Sequence, residues 1–380
     1  MRIVNGLVFC EDGAFHPLEV ETQGDRIAAL EPSKAGEGET LDAHGGYVVP
    51  GFVDIHIHGA MGADFSDGDP AGFAAMGEFL LHQGVTSFLG TSMALPEERL
   101  SGVFSAARAY MEQPGQGGAA MRGIYMEGPF FSPEKRGAQN PEYIIPPDLA
   151  MFERLLAASG EGIRVVAVAP ELTGGLDFIQ AASRRVNVSL GHTCADYSTA
   201  QAAFARGANH VTHAFNGMSP FHHRDPGVIG AAIGTGAYVE AISDGVHLHP
   251  AVVRALFALF GDDQVCLISD AMRACGMPPG QYDLGGQLVT VANGAATIAT
   301  GSLAGSITPL SDCFRKAVSF GVPLESALKA ATINPARSAG IDQAVGSLAI
   351  GKRADILILD RTLGLRHTVF GGRLLPRQAG

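Results

Sequence analysis

The alternation of apolar and polar residues predicts a small β-rich segment at the start of the chain. Residues 2–9, 25–30 and 46–49 are short apolar runs, and Gly and Pro residues separate them. Such runs are typical of short strands in a small sheet. We therefore expect residues 1–49 to contribute to a β domain.

After Pro50 the pattern changes to short apolar runs that alternate with segments of helical periodicity. This order is typical of parallel βα units. Eight runs are predicted as strands, at 52–58, 85–90, 123–127, 165–169, 186–190, 210–213, 239–243 and 265–269. Helices are predicted between them at 71–83, 96–111, 147–158, 196–206 and 250–260. Eight such units are the number in a (β/α)8 TIM barrel, so the predicted fold class is α/β with this barrel.

The part of the chain that follows the eighth strand is predicted to return to β structure. Its elements are a glycine-rich β-like stretch at 282–301, helices around 309–319 and 323–331, a helix stop at 333–337 and a strand at 354–360. We expect the last strand to pair with the first segment, so that both termini form one small, discontinuous β-sandwich domain. The predicted domains are 1–49 and 343–380 for the β domain and 50–342 for the barrel.

Composition excludes several classes of partner. The 380 residues are 46% hydrophobic, which is enough to bury the core of a large barrel. The formal net charge of −12, without a basic cluster, argues against nucleic acid. No stretch is long and apolar enough to span a membrane, and the N-terminus lacks the apolar core of a secretory signal.

The five cysteines are scattered and form no CxxC motif. This usage is typical of a reduced, cytoplasmic protein without a disulfide framework. Cys194 follows His192 closely, but no nucleophile pattern surrounds it, and we interpret it as a small buried thiol.

The apolar run at 51–59 carries polar side chains at every second position, namely Asp54, His56 and His58. Side chains alternate across a strand with a period of two, so the two histidines are expected to face the same way. Two imidazoles at a strand end can bind a divalent metal ion.

Side chains that bind metals or protons end six of the eight predicted strands. They are His56 and His58 on the first strand, Glu127 on the third, His192 on the fifth, His213 on the sixth, Asp244 and His247 on the seventh, and Asp270 on the eighth. Barrel enzymes build their sites at this rim, so we expect these residues to converge.

The converging side chains predict a hydrolytic metal site. Glu127, His192 and His213 supply three ligands for one ion, and His56 and His58 leave room for a second ion that Glu127 would bridge. Such a site lowers the pKa of a bound water and polarises a carbonyl oxygen. Asp270 is placed to take the water's proton and pass it to a leaving amine. Zn is the favoured metal, and Fe, Mn and Co also accept these ligands.

These residues resemble the amidohydrolase superfamily, and within it the chain is similar to the N-acetylglucosamine-6-phosphate deacetylases. The matching motifs are PGFVDIHIHG at 50–59, EGPF at 127–130, KRGAQ at 135–139, GHT at 191–193, THAFNGM at 212–218, RDPG at 224–227, DGVH at 244–247, SDA at 269–271 and LAGS at 303–306. The resemblance implies removal of the N-acetyl group from a phosphorylated amino sugar, giving acetate and the free amine. It also implies the metal ligands and the acid–base role of Asp270 that are proposed above.

The resemblance further implies how the sugar phosphate is held. Arg224 and His247 match the groups that bind it, and Asn216 and Gly217 match a loop that touches the substrate. The Arg of this family can come from the neighbouring subunit, so a homodimer that shares Arg224 is expected. His222 and His223 beside it either add to the anion site or are solvated loop histidines.

Three positions depart from the family pattern. Gln139 stands where many relatives have His, and we expect it to contact the substrate by hydrogen bonding or to leave that role to the metal. Gly217 stands where many have Ala. The segment 306–309 also differs, and because it lies near the sugar in relatives, the sugar is left open between N-acetylglucosamine 6-phosphate and N-acetylgalactosamine 6-phosphate.

Two other functions compete with this hypothesis. A cyclic amidase of the same superfamily usually carries a metal-bridging Lys at the end of strand 4, but here the fourth predicted strand is followed by Pro170 and Glu171. A non-catalytic scaffold would have lost metal ligands, whereas every proposed ligand is present.

Overall fold

The computed structural model describes residues 1–32, 39–113 and 117–376. Its centre is a sheet of eight parallel strands in sequential order, with helices outside it. The strands are β1 Phe52–Ile57, β2 Val85–Thr91, β3 Ala120–Glu127, β4 Ile163–Val168, β5 Asn187–Leu190, β6 His210–Val211, β7 Tyr238–Ala241 and β8 Val265–Leu267. The backbone N–H of Asp270 donates to the carbonyl of His56 at 2.9 Å, so the chain after β8 meets β1. The predicted (β/α)8 barrel is confirmed.

Ten α-helices are present in the described residues. They are Pro70–His82, Glu97–Glu112, Leu149–Ala158, Gly175–Ala182, Tyr197–Ala205, Gly227–Ala232, Pro250–Phe260, Leu310–Ser319, Leu324–Ala331 and Ile333–Ser338, with short 3-10 helices at Phe65–Asp67, Pro133–Lys135 and Pro141–Tyr143. Aspartates cap several of them: Asp69, Asp148 and Asp196 each accept a backbone N–H in the first turn of the helix that follows. None of these helices is long and apolar enough to cross a membrane.

The barrel has two apolar layers, as parallel sheets buried on both faces require. The inner layer includes Val53, Ile55, Leu89 and Tyr125, all fully buried inside the strands. The outer layer lies between the strands and the helices and holds most of the aromatic rings. The two apolar layers hold the strands in place, and the strand ends in turn determine the positions of the predicted site residues.

Two predicted elements differ in detail. The helix predicted at 323–331 ends at Ala331 as expected, but residues 333–337 do not form an irregular stop: a new short helix, Ile333–Ser338, begins after Thr332. Pro335 lies in its first turn, where a missing N–H removes no intrahelical bond. The sixth strand ends at Val211 rather than at 213, because His213 takes a left-handed φ of 25° and leaves the strand.

Both chain ends form the expected β structure. The four-stranded sheet consists of Arg2–Val4, Glu19–Gln23, Arg26–Glu31 and Thr40–Asp42, and the six-stranded sheet of Leu7–Phe9, Phe15–His16, Tyr47–Pro50, Ile356–Leu359, Leu365–Phe370 and Arg373–Leu374. Strand Ile356–Leu359 pairs antiparallel with Tyr47–Pro50, in the register Leu357 to Val49. Side chains such as Ile3, Val20, Val48 and Ile358 form a shared core. The domain boundaries at 49/50 and 342/343 stay a prediction.

The glycine-rich stretch forms a separate antiparallel sheet, which we call the rim sheet. Its strands are Gly280–Leu284, Gln287–Ala292 and Ala295–Ile298. Leu284 and Val289 of the rim sheet share an apolar cluster with Met93 and Met272, which follow β2 and β8. The rim sheet is therefore anchored beside the strand ends that carry the predicted site.

Candidate metal centre and active-site cavity

His56 and His58 lie on one face of the first strand and its end, as the period of two predicts, and both are buried. The Nε2 atom of His56 is 3.5 Å from Oε1 of Glu127, and that of His58 is 3.4 Å from Oε2. The end of β1 therefore brings both rings against the carboxylate at the end of β3.

His192 and His213 approach the same carboxylate from the other side. Their Nε2 atoms lie 3.3 Å and 3.1 Å from Oε1 of Glu127, and 3.1 Å from each other. Both residues have a positive φ, 47° and 25°, and so does Asp270, at 47°. These left-handed conformations are costly outside glycine, and they occur here where three strand ends turn side chains to a common point.

The donor set fits divalent cations. Two groups, His56–His58–Glu127 and Glu127–His192–His213, each bring three ligand atoms within 4.8 Å of one another, and Glu127 belongs to both. Among the described residues, neither Nε2 of His56 nor Nδ1 of His213 has a hydrogen-bond partner, although both are buried. Of these two, Nε2 of His56 faces Glu127, and a buried nitrogen that faces a carboxylate without a hydrogen bond is typical of a ligand whose cation is still to bind. The residues thus suit one or two ions of Zn or a similar metal.

Outer contacts turn three of the imidazoles so that Nε2 faces the centre. Nδ1 of His58 lies 3.2 Å from the carbonyl oxygen of Thr91, and Nδ1 of His192 lies 2.8 Å from that of Lys135. Nδ1 of His56 lies 2.9 Å from Oε2 of Glu240 instead. Each contact assigns the proton to Nδ1 and leaves the Nε2 lone pair free to bind a metal.

Asp270 completes the centre from the end of β8. Its Oδ1 lies 3.3 Å from Nε2 of His58 and 3.6 Å from Nε2 of His56. Burial by itself would raise the pKa of this carboxyl, but the imidazoles of His58 and His56 lower it. Asp270 is therefore held as a carboxylate that can accept a proton beside the metal ligands.

The ionisation of the metal-free cluster follows from its geometry. Burial alone would lower the pKa of His58, but the carboxylates of Asp270 and Glu127 raise it well above the usual value. In His213 the same opposition, with Glu127 as the main partner, raises the pKa to about 9. Burial would raise the pKa of Glu127, yet the surrounding imidazoles, His56 first, hold it well below its usual range. Without a metal, the cluster therefore binds protons in place of the cation.

A cavity of about 610 Å³ opens above this centre. Its base includes His58, Glu127, His192, His213 and Asp270. Its walls include Lys135, Arg136, Gln139, Asn216, Gly217 and His247, together with Leu284, Gln287 and Ile298 of the rim sheet. A cavity of this size, with polar groups converging at its base, suits a small polar substrate.

The predicted substrate residues Gly217 and His247 occupy fixed positions in the wall. Gly217 has a φ of 58°, and a Cβ there would come within 3.0 Å of Nδ1 of His192, so glycine allows the loop to close on the metal ligand. Asp244 accepts hydrogen bonds from the backbone N–H and from Nδ1 of His247, each at 2.8 Å. Since Nδ1 is engaged by Asp244, Nε2 is the nitrogen through which His247 can contact a substrate. His247 and Asn216 both line the cavity.

Gln139 has partners within the chain at both ends of its amide. Nε2 donates to Oε2 of Glu127 at 2.9 Å, and Oε1 accepts the backbone N–H of Ala94 at 2.8 Å. The side chain lines the cavity, yet it is only 3% exposed. Its predicted role as a substrate ligand stays a proposal, and its observed contacts hold a metal ligand.

Arg224 lies apart from this cavity in its own subunit. It is exposed on the loop before helix Gly227–Ala232, and its guanidinium is 2.7 Å from Nε2 of His223. Within the part of the chain that the structure describes, the cavity lining does not include Arg224, His222 or His223. One chain alone therefore does not bring Arg224 to the predicted sugar phosphate.

Glu240, in the middle of β7, was not assigned any role from the sequence. It is fully buried and contacts His56 and the backbone N–H of His213. A carboxylate inside an otherwise apolar strand is the signal that would have identified it, because charged side chains are buried only when they are paired. Lys135 and Arg136 are likewise cationic cavity residues that the sequence did not single out.

Comparisons with known proteins agree with this architecture. The sequence profile described as "Amidohydrolase family" matches residues 47–375. An N-acetylglucosamine-6-phosphate deacetylase of Lysinibacillus sphaericus is 36% identical over 379 residues, covering 98% of this chain and 97% of that protein. An N-acetylgalactosamine-6-phosphate deacetylase of Escherichia coli O157:H7 is also 36% identical, over 369 residues, with 96% of each chain covered.

A solved structure is similar over the whole fold. It is a mutant of the N-acetyl-D-glucosamine-6-phosphate deacetylase of Mycobacterium smegmatis in complex with N-acetyl-D-glucosamine-6-phosphate. The TM-score is 0.90 at 33% sequence identity, and the match covers 98% of each chain. The similarity therefore includes the barrel and the terminal β structure.

Proposed function

The chain belongs to the amidohydrolase family, and from this premise we propose that it is a deacetylase of N-acetyl-D-glucosamine 6-phosphate. It releases acetate and glucosamine 6-phosphate, a reaction of amino-sugar breakdown. One observation carries the proposal: the carboxylate of Asp270 and the two histidine groups around Glu127 meet at the base of one cavity. The identities of the relatives supply the substrate class.

The side chains of the metal centre would hold the ions that this hydrolysis needs. Glu127, His192 and His213 would hold one divalent ion, and His56 and His58 a second that shares Glu127. Such ions polarise an acyl oxygen and make a water acidic enough to attack near neutral pH. We propose Zn, with one or two ions per subunit.

Asp270 carries the proton through the reaction. Its carboxylate lies 3.3 Å from Nε2 of His58, so an attacking water at the metal centre is within its reach. It accepts the proton of that water as the bond to the acetyl carbon forms. It then returns the proton to the sugar nitrogen as the C–N bond breaks, so the amine leaves neutral.

The phosphate group of the substrate is anionic, so its binding requires cationic side chains in the cavity. Lys135, Arg136 and His247 line it within one subunit. We propose that Arg224 of the partner subunit joins them in a homodimer, because Arg224 is exposed and does not line the cavity of its own subunit. Guanidinium groups suit phosphate because they donate two parallel hydrogen bonds.

The galactosamine epimer is the second candidate substrate. A relative named for N-acetylgalactosamine 6-phosphate is as similar, at 36% identity, as the first named for the glucosamine form. Most of the similar proteins carry the glucosamine name, which supports our choice.

A cyclic amidase is disfavoured by the structure of β4. This strand ends at Val168 and is followed by Ala169 and Pro170, so no lysine at this strand end can bridge the metals. The predicted cytoplasmic location stays a proposal that rests on the five free cysteines.

The experiment measures acetate release from three substrates by protein of known metal content. They are N-acetylglucosamine 6-phosphate, N-acetylgalactosamine 6-phosphate and unphosphorylated N-acetylglucosamine. We expect kcat/KM to be highest for the first and lowest for the third. Preference for the galactosamine form would keep the chemistry and change the sugar, whereas metal-loaded protein inactive on all three would refute the proposed function.

A further inference from the structure

We infer that Glu240 is a positioning residue that makes His56 a metal ligand and so determines whether the His56–His58 position holds an ion. The inference rests on the metal centre of the proposed function. It concerns a residue beneath that centre that touches no substrate.

Glu240 lies where a carboxylate is costly. It is fully buried in β7, between Val239 and Ala241, and the inner core of the barrel surrounds it. An ionised carboxyl in such a place is retained only when its oxygens are paired. The residues that pair with it therefore indicate its role.

Oε2 of Glu240 contacts two of the proposed ligand residues. It lies 2.9 Å from Nδ1 of His56 and accepts the backbone N–H of His213 at 2.9 Å. The first contact fixes the proton of His56 on Nδ1. Nε2 of His56 then points to Glu127 and Asp270, at 3.5 Å and 3.6 Å, with its lone pair free.

The other oxygen of Glu240 is held from below. Oε1 lies 3.0 Å from Nε2 of His210, although the two atoms are not aligned for a hydrogen bond. Nδ1 of His210 lies 2.7 Å from the hydroxyl of Ser338, on helix Ile333–Ser338. The ring of Tyr125 packs against His56 with centroids 4.6 Å apart. This network leaves Glu240 little freedom to release His56.

The contact makes His56 different from its neighbours. His58 and His192 are oriented by neutral carbonyl oxygens, of Thr91 and Lys135. Only His56, among the described ligand residues, has a carboxylate at Nδ1. A carboxylate behind an imidazole makes its other nitrogen a stronger electron donor to a cation, and its loss typically weakens binding about 10- to 100-fold. The effect should fall on the position that His56 serves.

The test compares Glu240→Gln with the unchanged protein, both freed of metal with a chelator and titrated with Zn²⁺. Glutamine keeps an oxygen for His56 and His213 and removes only the charge. We expect two Zn²⁺ sites in the unchanged protein. In the variant, the tighter site should change less than about threefold, and the other should weaken about 10- to 100-fold.

Glu171→Gln is the matched control. The carboxylate of Glu171 accepts hydrogen bonds from Thr193 and from the backbone N–H of Cys194, beside His192, but contacts no imidazole. Its Zn²⁺ affinities should stay unchanged. Melting temperatures of the metal-free proteins distinguish a structural role of Glu240 from a positioning role. If the role were only structural, Glu240→Gln would lower the melting temperature and leave both Zn²⁺ affinities as in the unchanged protein.

Each outcome is decisive. Equal weakening of both sites, unchanged affinities, or a single Zn²⁺ site in the unchanged protein would overturn the inference and leave the deacetylase function standing. Unchanged protein that binds no Zn²⁺ would overturn both. If Glu240→Gln does not fold, Glu240→Asp poses the same question, because removing one methylene withdraws the carboxylate from Nδ1 of His56, which it contacts at 2.9 Å. Selective weakening is again the expected result.

Discussion

The side chain of Gln139 donates a hydrogen bond to Glu127, from Nε2 to Oε2 at 2.9 Å. The same oxygen of Glu127 lies 3.4 Å from Nε2 of His58. Gln139 therefore holds the carboxylate oxygen that faces His58, while the backbone N–H of Ala94 holds the glutamine in turn. The sequence predicted a substrate contact for Gln139. In the structure Gln139 also holds Glu127, a proposed metal ligand, in place.

Replacing Gln139 with Ala should weaken metal binding. The change leaves Oε2 of Glu127 without this donor, and loss of such a contact to a metal ligand typically costs about 10- to 100-fold in affinity or activity. Zinc titration together with kcat and KM measures it. Gln287→Ala, in the same cavity wall, is the control and should leave zinc affinity intact. A rise in KM alone, with zinc affinity preserved, would show that Gln139 acts on the substrate instead.

Replacing Asp270 with Asn should nearly abolish turnover. The amide keeps the size of the side chain but cannot accept the proton of the attacking water, and loss of general acid–base catalysis lowers kcat about 10²- to 10⁴-fold. Elemental analysis should still find metal, because Glu127 and four histidines remain. An Asp270→Asn enzyme of near-normal kcat would rule out this role.

Mixing two inactive variants tests the shared site. In a mixed dimer of Arg224→Ala and Asp270→Asn subunits, the site with intact Asp270 faces the partner's intact Arg224. If Arg224 acts across the interface, random reassortment should restore about a quarter of the sites, since half of the dimers are mixed and each has one intact site. Activity on the phosphorylated sugar measures it. No recovery in mixtures shown to contain mixed dimers would place Arg224 in its own subunit's site or outside the mechanism.

The buried carboxyl of Asp64 should make the stability of the protein depend on pH. Its carboxyl is 1% exposed, Oδ1 caps the 3-10 helix Phe65–Asp67, and burial raises its pKa to about 6 from 3.8. The folded state thus binds a proton that the unfolded state has released, so wild-type stability is favoured below pH 4 and lost as pH rises through 6. Relative to Asp64→Asn, which keeps the cap, the wild type should lose up to about 3 kcal/mol between pH 4 and pH 8.

Unfolding midpoints of both proteins in denaturant, measured across this pH range, give the difference. Asp69→Asn is the control for the same exchange at an exposed helix cap. If the Asp64→Asn difference did not change between pH 4 and pH 8, the buried carboxyl would not titrate in this range.

The barrel and the convergence of the proposed metal ligands were predictable because each depends on a local pattern. The period of two placed His56 and His58 together, and the rule that parallel strands end at one rim brought Glu127, His192 and His213 to them. The helix after Thr332 was missed, because Asn334 and Pro335 are typical of helix ends and also fit a helix start.

What the sequence could not supply depends on pairs that are distant along the chain. The role inferred for Glu240 depends on its contacts with His56 and His210, and the spacing of these residues in the sequence does not predict those contacts. Gln139 was read from its counterpart in relatives, whereas its partners here, Glu127 and Ala94, follow from the three-dimensional packing. The place of Arg224 depends on a second subunit, which one sequence does not contain.

The antiparallel pairing of Ile356–Leu359 with Tyr47–Pro50 has a consequence for how the protein is made. Tyr47–Pro50 leads directly into β1, yet its partner strand follows the whole barrel in the chain and leaves the ribosome after it. Until then one edge of Tyr47–Pro50 is an unpaired template for other strands. Synthesis thus passes through a long interval in which Tyr47–Pro50 has emerged without this partner, and a chain cut short before residue 356 should aggregate rather than accumulate as a smaller enzyme.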